Sequence, residues 1–238
     1  MVMHPIEKEL RKYATPQRAA VNARFFKSGK GEYGEGDQFL GVTVPDSRIV
    51  ARKFLDTSFP QLESALENKW HEVRLTALLI LVERYKSKKA STEERQAIVD
   101  FYLNHLHAVN NWDLVDLSAD KILGEYLLAH PQQKKKLHAL ARSPKLWEKR
   151  VGIISTFAFI RNHQFDDTKA IALTLMHDEH DLMHKAVGWM LREMGKRNEK
   201  ELVDFLKTHY TKMPRTMLRY AIEKFPEGIR KKYLAGEI

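Results

Sequence analysis

One short stretch of the chain combines two acids with an indole: Asn110-Asn111-Trp112-Asp113-Leu114-Val115-Asp116. Asparagine before an apolar run is typical of a helix N-terminus, because its side chain accepts a hydrogen bond from an otherwise unpaired backbone N–H. Trp112 and Asp116 are four residues apart, which places them on one face of such a helix. Two interpretations remain open: an indole and a carboxylate exposed together at a site, or Trp112 in the core and Asp116 a solvated acid favoured by the helix dipole.

The composition indicates a polyanionic partner. Lys and Arg total 40 against 31 Asp and Glu, giving a net charge of +9 with neutral His. Nucleic acid is favoured over a membrane surface, because the sequence contains no isolated amphipathic helix with a Lys/Arg face. No apolar run approaches the roughly 20 residues that a membrane span needs, and the first residues lack a signal-peptide core. We therefore expect a soluble protein.

The chain has no cysteine, which excludes disulfides, thiolate catalysis and Cys-ligated zinc and permits a reducing cytoplasm. His177 and His180 lie beside Asp178, but a polar loop between helices explains these residues better than a metal site. We expect no metal and no cofactor.

Repeated helical segments extend from Phe59 onward, without the alternation typical of strands. Four of them can be aligned: Glu72–Ala77, Leu114–Ala119, Glu148–Ile153 and Met183–Gly188. Their third positions, Arg74, Asp116, Arg150 and Lys185, are separated by 42, 34 and 35 residues. This spacing predicts an all-α fold, an α-solenoid of HEAT-like antiparallel helix pairs with a concave basic groove. Because no Gly/Ser/Pro-rich linker interrupts the chain, we expect one domain over residues 1–238.

The N-terminal part contains a glycine-rich insertion. Residues 4–26 have helical periodicity broken at Pro16, which predicts two short helices. Residues 28–37 then hold four of the eleven glycines, and an extended segment follows at 39–45. We expect a small hairpin or a loop near residues 29–44. The segment does not match a nucleotide-binding loop, and its acids, Glu32, Glu35 and Asp37, would repel phosphate.

Stacked helix pairs place their second helices side by side, so the aligned third position recurs along one wall of the predicted groove. That wall and its surroundings are cationic, with Arg74, Lys149, Arg150, Lys185, Arg192, Lys196, Arg197, Arg215 and Arg219 as candidate phosphate contacts. The alternative is that these cations only pair with acids of neighbouring repeats. Asp116 is the exception in the column, and a carboxylate there suits a cationic or cation-forming substrate.

A second indole follows the same spacing. Trp189 lies four residues after Lys185 and so on the same face of its helix. It is either a second aromatic of the groove or a core residue between Val187 and Leu191.

At these residues the sequence resembles the AlkD family of DNA alkylation repair proteins, which are HEAT-like repeat DNA glycosylases that remove positively charged alkylated purines. The resemblance is strongest at Trp112–Asp116, at Trp147–Arg150 and at Lys185–Glu193. It implies that Asp116 is the catalytic aspartate, that Trp112 and Trp189 are groove tryptophans, and that Arg150 contacts phosphate. It also implies that double-stranded DNA is held through its backbone, without a deep pocket for the base.

The chemistry of this family requires those residue types. An N3- or N7-alkylated purine is already positively charged, so its glycosidic bond breaks without a general acid and leaves an oxocarbenium-like sugar. A carboxylate and two indole faces would stabilise that cation.

The sequence also departs from the family pattern. Glycosylases of the family have a shorter connection where this chain carries Lys30–Asp37. Near the end of the preceding N-terminal helix they place an aromatic residue with a hydroxyl group on the groove, and this chain has only Phe25 or Phe26 to match it. Some branches of the family only bind DNA, including branched DNA. Because Asp116, Trp112 and Trp189 match the residues of the glycosylases, we nevertheless expect a monomeric glycosylase acting on nucleoid DNA without an obligate protein partner. The alternatives are a non-catalytic binder of branched or damaged DNA with the same fold and a protein- or RNA-binding helical scaffold.

Overall fold

The computed structural model describes residues 3–238, and the prediction of an all-α fold is confirmed over that range. The described residues form no strand, although one isolated parallel bridge joins Gln38 to Trp70. The chain divides into two compact units, the first ending at Ile122 and the second comprising Leu123–Ile238. The assignment of residues 1–238 to one domain and the concave basic groove stay predictions.

The first unit is built around one buried helix. Its helices are α1 (Pro5–Leu10), α2 (Pro16–Phe25), α3 (Val44–Lys53), α4 (Phe59–Leu66), α5 (His71–Lys86), α6 (Thr92–Asn104) and α7 (Trp112–Asp116), with a 3-10 turn at Leu106–Ala108. Every residue of α5 from His71 to Val82 is buried, and α1, α3 and α4 pack against this helix. A helix that is apolar around most of its circumference is expected at the centre of a unit.

Prolines mark the starts of α1 to α4, each of which has one in its first turn. Proline suits that position, since its fixed φ is helical and the first N–H groups of a helix have no partner within the helix. The break predicted at Pro16 is therefore the start of α2.

The second unit contains α8 (Glu125–Ala129), α9 (Lys135–Ala141), α10 (Leu146–Ser155), α11 (Phe157–Arg161), α12 (Asp166–Thr174), α13 (Asp181–Arg197), α14 (Glu199–His209), α15 (Arg215–Ala221) and α16 (Glu227–Ala235), with 3-10 turns at Pro131–Gln133 and Tyr210–Lys212. The long helix α13 is its centre, and α10, α11, α12, α14 and α15 pack against it. Several apolar side chains of α13, among them Met183, Val187 and Met190, are fully buried.

The second helix expected at 114–119 is shorter than its counterparts. Helix α7 ends at Asp116, a turn follows, and Asp120–Gly124 forms a π-helical turn before α8 begins. Helices α14, α15 and α16 follow the last of the four aligned segments. The aligned pattern therefore predicted where helices lie better than where they end.

The glycine-rich segment is a loop and not a hairpin. Residues 29–36 form consecutive turns and bends, with positive φ at Gly31 and Gly36, and residues 39–43 lie outside any helix or strand. Gly41 also has a positive φ, and a Cβ there would lie 2.1 Å from the carbonyl oxygen of Thr15. The segment 39–43 thus passes the start of α2 more closely than any larger residue at position 41 would allow.

Among residues 3–238, no helix combines the length and the apolar character needed to cross a lipid bilayer.

Close packing of α13 on α15 leads to a prediction for Gly188→Ala. The added Cβ would lie 2.5 Å from both the carbonyl oxygen of Met217 and the Cβ of Tyr220, neither of which can move without shifting α15. We expect a loss of about 1–3 kcal/mol in the free energy of unfolding, measured by urea denaturation. Gly228→Ala is the control, since no atom lies within 4 Å of its added Cβ. Equal urea midpoints for the two variants would contradict this account.

Candidate functional site

The start of α7 is held by the side chain of Asn111, as the sequence predicts. Asn111 is the N-cap, it is fully buried, and its Oδ1 accepts from the backbone N–H of Trp112 at 2.8 Å. Its Nδ2 donates to Oδ2 of Asp37 at 3.0 Å. The cap of α7 is therefore tied to the last residues of the glycine-rich loop.

Trp112 belongs to an aromatic stack. Its ring lies parallel to that of Phe26, with centroids 5.2 Å apart, and Phe26 in turn stacks on Phe39, also at 5.2 Å. Phe25 meets Trp112 edge-on at 5.6 Å. Trp112 is half-buried, Phe26 is buried and Phe25 is 61% exposed. The indole is thus neither a full core residue nor a free surface group, because one ring face is supported and the ring keeps contact with solvent.

A buried histidine lies between two carboxylates at the same place. His71 Nδ1 is 3.1 Å from Oδ2 of Asp37, and its Nε2 is 2.8 Å from Oδ2 of Asp113. Both contacts are hydrogen bonds in which a protonated ring donates twice. The ring is also 4.9 Å, between centroids, from each of Phe26 and Phe39.

This arrangement keeps His71 charged. Burial alone lowers the pKa of His71, but the adjacent carboxylates of Asp113 and Asp37 outweigh that effect and raise the pKa to about 9. For Asp37 the effects have the opposite sign. Burial alone raises the pKa of its carboxyl group, but the hydrogen bond to His71 and the charge of Arg74 bring that pKa below its ordinary value. At neutral pH the imidazolium and the Asp37 carboxylate form a buried ion pair.

Arg74 has interior partners. It is buried, its guanidinium forms an ion pair with Asp37, and its Nη1 donates to the carbonyl oxygens of Asn68 and Lys69. A phosphate would have to displace these partners, and Arg74 as a phosphate contact stays a prediction.

Glu72 fixes the segment 39–43, which follows the loop. Its carboxylate accepts from the backbone N–H groups of Leu40, Gly41 and Val42 at 2.8, 2.9 and 3.2 Å. The side chain is buried on α5, directly after His71. Two consecutive residues of α5 thus hold the chain on either side of Phe39.

Asp116 differs from the acids that flank it. Asp113 and Asp120 are 5% and 1% exposed, and their carboxylates pair with His71 and with Lys121 at 2.7 Å. Asp116 is partly exposed at the end of α7, and its backbone carbonyl accepts from Lys121 Nζ at 3.3 Å. It shares α7 with Trp112, so the first unit brings these two candidate residues together on one helix.

In the second unit, α13 carries the other indole. Trp189 is half-buried, its Nε1 donates to Oε1 of Glu193 at 3.2 Å, and its ring centroid is 6.0 Å from that of Phe157. Glu193 is nearly buried and also binds Lys196 Nζ at 2.8 Å. One acid therefore orients both the indole and a neighbouring cation.

Most of the predicted phosphate contacts of this unit already have acidic or carbonyl partners. The pairs are Lys149 with Asp178, Lys185 with Asp181, Arg192 with Glu223, Lys196 with Glu193, and Arg215 with the carbonyl oxygen of Leu234. Arg150 is 5% exposed and donates to the carbonyl oxygen of Leu182 at 2.8 Å. Arg197 and Arg219 are exposed and form no ion pair with any other residue of the described range 3–238.

Sequence reasoning missed the residues that position α7. The sequence indicates Asp37 only as an acid unsuited to phosphate, and no pattern singles out His71 or Glu72. An acid in a loop of a basic chain is the only signal for Asp37, and it does not indicate the partners of that carboxylate.

The buried imidazolium predicts a specific pH dependence of stability. Because the folded-state pKa of about 9 lies above the unfolded value of 6.5, the stabilisation is complete below about pH 6.5 and is lost as pH rises through about 9. The difference corresponds to about 3 kcal/mol. In wild type we expect the free energy of unfolding, measured by urea denaturation, to fall between about pH 6.5 and about 9. In His71→Gln the part of this fall that comes from the histidine should be absent. His177→Gln, at an exposed position, is the control, and identical pH slopes in all three proteins would contradict the prediction.

Comparison with known proteins agrees with the fold and the resemblance. The sequence profile of the family described as DNA alkylation repair enzyme matches residues 6–225. A solved structure described as a predicted DNA alkylation repair enzyme from Enterococcus faecalis is similar, with a TM-score of 0.71 and 18% sequence identity. The match covers 90% of this chain and 97% of that one. No curated protein sequence matches the chain significantly. Since the profile covers nearly the whole length, the chain belongs to the DNA alkylation repair enzyme family.

Proposed function

We propose that this protein is a DNA glycosylase that hydrolyses the N-glycosidic bond of positively charged N3- or N7-alkylated purines in double-stranded DNA. The observation that carries the proposal is the position of Asp116, a partly exposed residue on the same short helix as Trp112, in a chain with net charge +9. Membership of a DNA alkylation repair family supports DNA as the partner.

The reaction explains why an acid is needed in a basic protein. When the bond between C1′ and the purine nitrogen breaks, its electron pair moves to the base, which leaves as a neutral molecule. Positive charge then develops on the deoxyribose, and a water molecule adds to C1′ and loses a proton. Asp116 stabilises the developing cation electrostatically and holds the attacking water. Phosphate binding alone would gain nothing from this carboxylate.

The aromatic residues take a second role in the proposal. Trp112, supported by Phe26, contacts the deoxyribose and attracts its positive charge through the ring. The resemblance assigns the same role to Trp189, whose indole N–H is already oriented by Glu193. Supported rings lose little conformational entropy on contact with a substrate, which suits them to this task.

The phosphate contacts follow from exposure and pairing. Arg197 and Arg219 are exposed and offer their guanidinium groups directly. Lys149, Lys185, Arg192, Lys196 and Arg215 exchange their present partners for phosphate. For Lys185 and Asp181, whose side chains are 39% and 56% exposed, this exchange costs little, because surface ion pairs contribute only about 0–1 kcal/mol. Arg150, which the resemblance assigns to a phosphate, contacts DNA from a nearly buried position. The protein acts as a monomer on nucleoid DNA in the cytoplasm.

Asp116→Asn tests the catalytic assignment. We expect the single-turnover rate of 7-methylguanine or 3-methyladenine release from duplex DNA to fall by about a hundredfold or more, since a preorganised electrostatic contact to the transition state is lost. Duplex affinity should be equal or slightly higher, because a charge that repels phosphate is removed. Asp100→Asn is the matched control, as an exposed acid of α6 whose side chain accepts from Gln96 at 2.9 Å.

Two outcomes would overturn parts of this proposal. Loss of duplex binding in Asp116→Asn would remove the residue from the catalytic role. No base release by the wild-type protein, together with tight and salt-sensitive binding, would identify the non-catalytic binder of branched or damaged DNA instead.

Arg219→Gln tests the phosphate contacts. Loss of one phosphate contact should lower the slope of log affinity against log salt concentration by about one and weaken binding to all duplex sequences alike. Arg219 is a cleaner test than Arg150, whose removal would also disturb the contact of α10 with Leu182 of α13. Lys207→Gln, at an exposed lysine paired with Asp204, is the control. An unchanged salt slope in Arg219→Gln would exclude this residue from the interface.

A further inference from the structure

The glycine-rich loop ends at a residue with three partners on other elements. The carboxylate of Asp37 binds His71 and Arg74 of α5 and Asn111, the N-cap of α7. The other acids of the loop contact only nearby residues of the chain: Glu32 Oε2 accepts from Gly29 N–H while its Oε1 lies 3.8 Å from Lys27 Nζ, and Glu35 Oε2 accepts from Gly31 N–H. The loop thus folds on itself and sends one carboxylate inward.

From these contacts we infer that Asp37 is a positioning residue, which fixes the start of α7 and thereby the orientation of Trp112 and Asp116. The inference rests on the proposed function for its catalytic consequence, although the positioning itself does not require catalysis. It also assigns a role to the glycine-rich loop, which is to deliver Asp37 to a buried site.

Helix α7 needs such an anchor because it is short. It has only five residues, Trp112–Asp116, so few hydrogen bonds of its own hold its direction. Asp37 reaches it along two routes. The direct route passes through Asn111, whose other side-chain atom caps Trp112 N–H. The indirect route passes through His71 to Asp113, whose Oδ1 accepts from Leu114 N–H at 2.9 Å.

The charges of the network balance. Two carboxylates, Asp37 and Asp113, face the His71 imidazolium and the Arg74 guanidinium, and the side chains of all four are at most 7% exposed. The other groups packed on the His71 ring, Phe26 and Phe39, are uncharged. Removing one carboxylate leaves an excess of buried positive charge, so the remaining groups must rearrange or lose a proton.

Two variants break the connection between Asp37 and the start of α7 while changing the size of the side chain little. Asp37→Asn keeps the size of the side chain and removes its charge. Asn111→Asp keeps an oxygen for the cap of α7 but replaces the Nδ2 donor with an oxygen that repels Asp37. Glu35→Gln, which makes the same acid-to-amide change two residues away from Asp37, is the matched control. Thermal unfolding of each variant establishes that it is folded.

NMR of the folded protein tests positioning without reference to activity. In Asp37→Asn we expect the pKa of His71 to fall below the wild-type value of about 9, since one of its two anionic partners is gone. In both variants the indole N–H resonance of Trp112 should shift or broaden, although no hydrogen bond joins the side chains of Trp112 and Asp37. Both readouts should remain at wild-type values in Glu35→Gln.

Kinetics test the catalytic consequence. Asp37→Asn and Asn111→Asp should reduce the single-turnover rate of base release by about tenfold, with duplex affinity changed by less than about twofold. In Asp37→Asn the alkaline limb of the rate profile should also move to lower pH, following His71. A variant that is merely less stable would show neither this displacement nor a rate loss at saturating DNA.

The outcomes separate the two proposals. A Trp112 resonance unchanged in Asp37→Asn and Asn111→Asp overturns the positioning role, whatever the activity. Equal rates for Asp37→Asn and Glu35→Gln, with an active wild type, also overturn it. An inactive wild type would end the glycosylase proposal, and the Trp112 and His71 resonances would still decide whether Asp37 positions α7. If Asp37→Asn does not fold, Asn111→Asp decides the question alone.

Discussion

The arrangement around α7 depends on a buried imidazolium held between two carboxylates. A charged histidine buried alone is unfavourable, and two buried carboxylates without a cation between them are unfavourable as well. His71, Asp37 and Asp113 are therefore stable in the interior only together. Arg74 completes the balance by pairing with Asp37. Because the network joins the glycine-rich loop, α5 and α7, each of these elements holds the others in one arrangement.

Similar residues take opposite roles in this protein according to burial. Asp113 and Asp116 lie three residues apart on one helix, yet Asp113 is committed to His71 while Asp116 remains partly exposed. Arg74 and Arg219 both appeared as candidate phosphate contacts, but Arg74 supports the interior and Arg219 reaches solvent. Charge therefore becomes informative about function only when the partner of each charged group is known.

The sequence predicted the helices well because their apolar residues recur with the helical period of about 3.6 residues, and that local pattern determines where helices form. The cap at Asn111 and the shared helix of Trp112 and Asp116 were predictable for the same reason. The network was not, since Asp37, His71 and Asp113 are separated by 34 and 42 residues and no local pattern links them. Two ion pairs of the predicted cationic wall, Lys149–Asp178 and Arg192–Glu223, also join different elements, and spacing along one helix does not contain such contacts. The pairs Lys185–Asp181 and Lys196–Glu193 lie within α13 at helical spacing, so the sequence does contain the signal for them.

The paired cations of the second unit have a consequence for how such a protein would find damage. A repair protein meets a vast excess of intact DNA, and every unneutralised cation lengthens each unproductive encounter. Lys149, Lys185, Arg192 and Lys196 carry their own acids, which phosphate must displace. Under the proposed function these acids compete with the DNA backbone for the cations, which would shorten each contact with intact duplex.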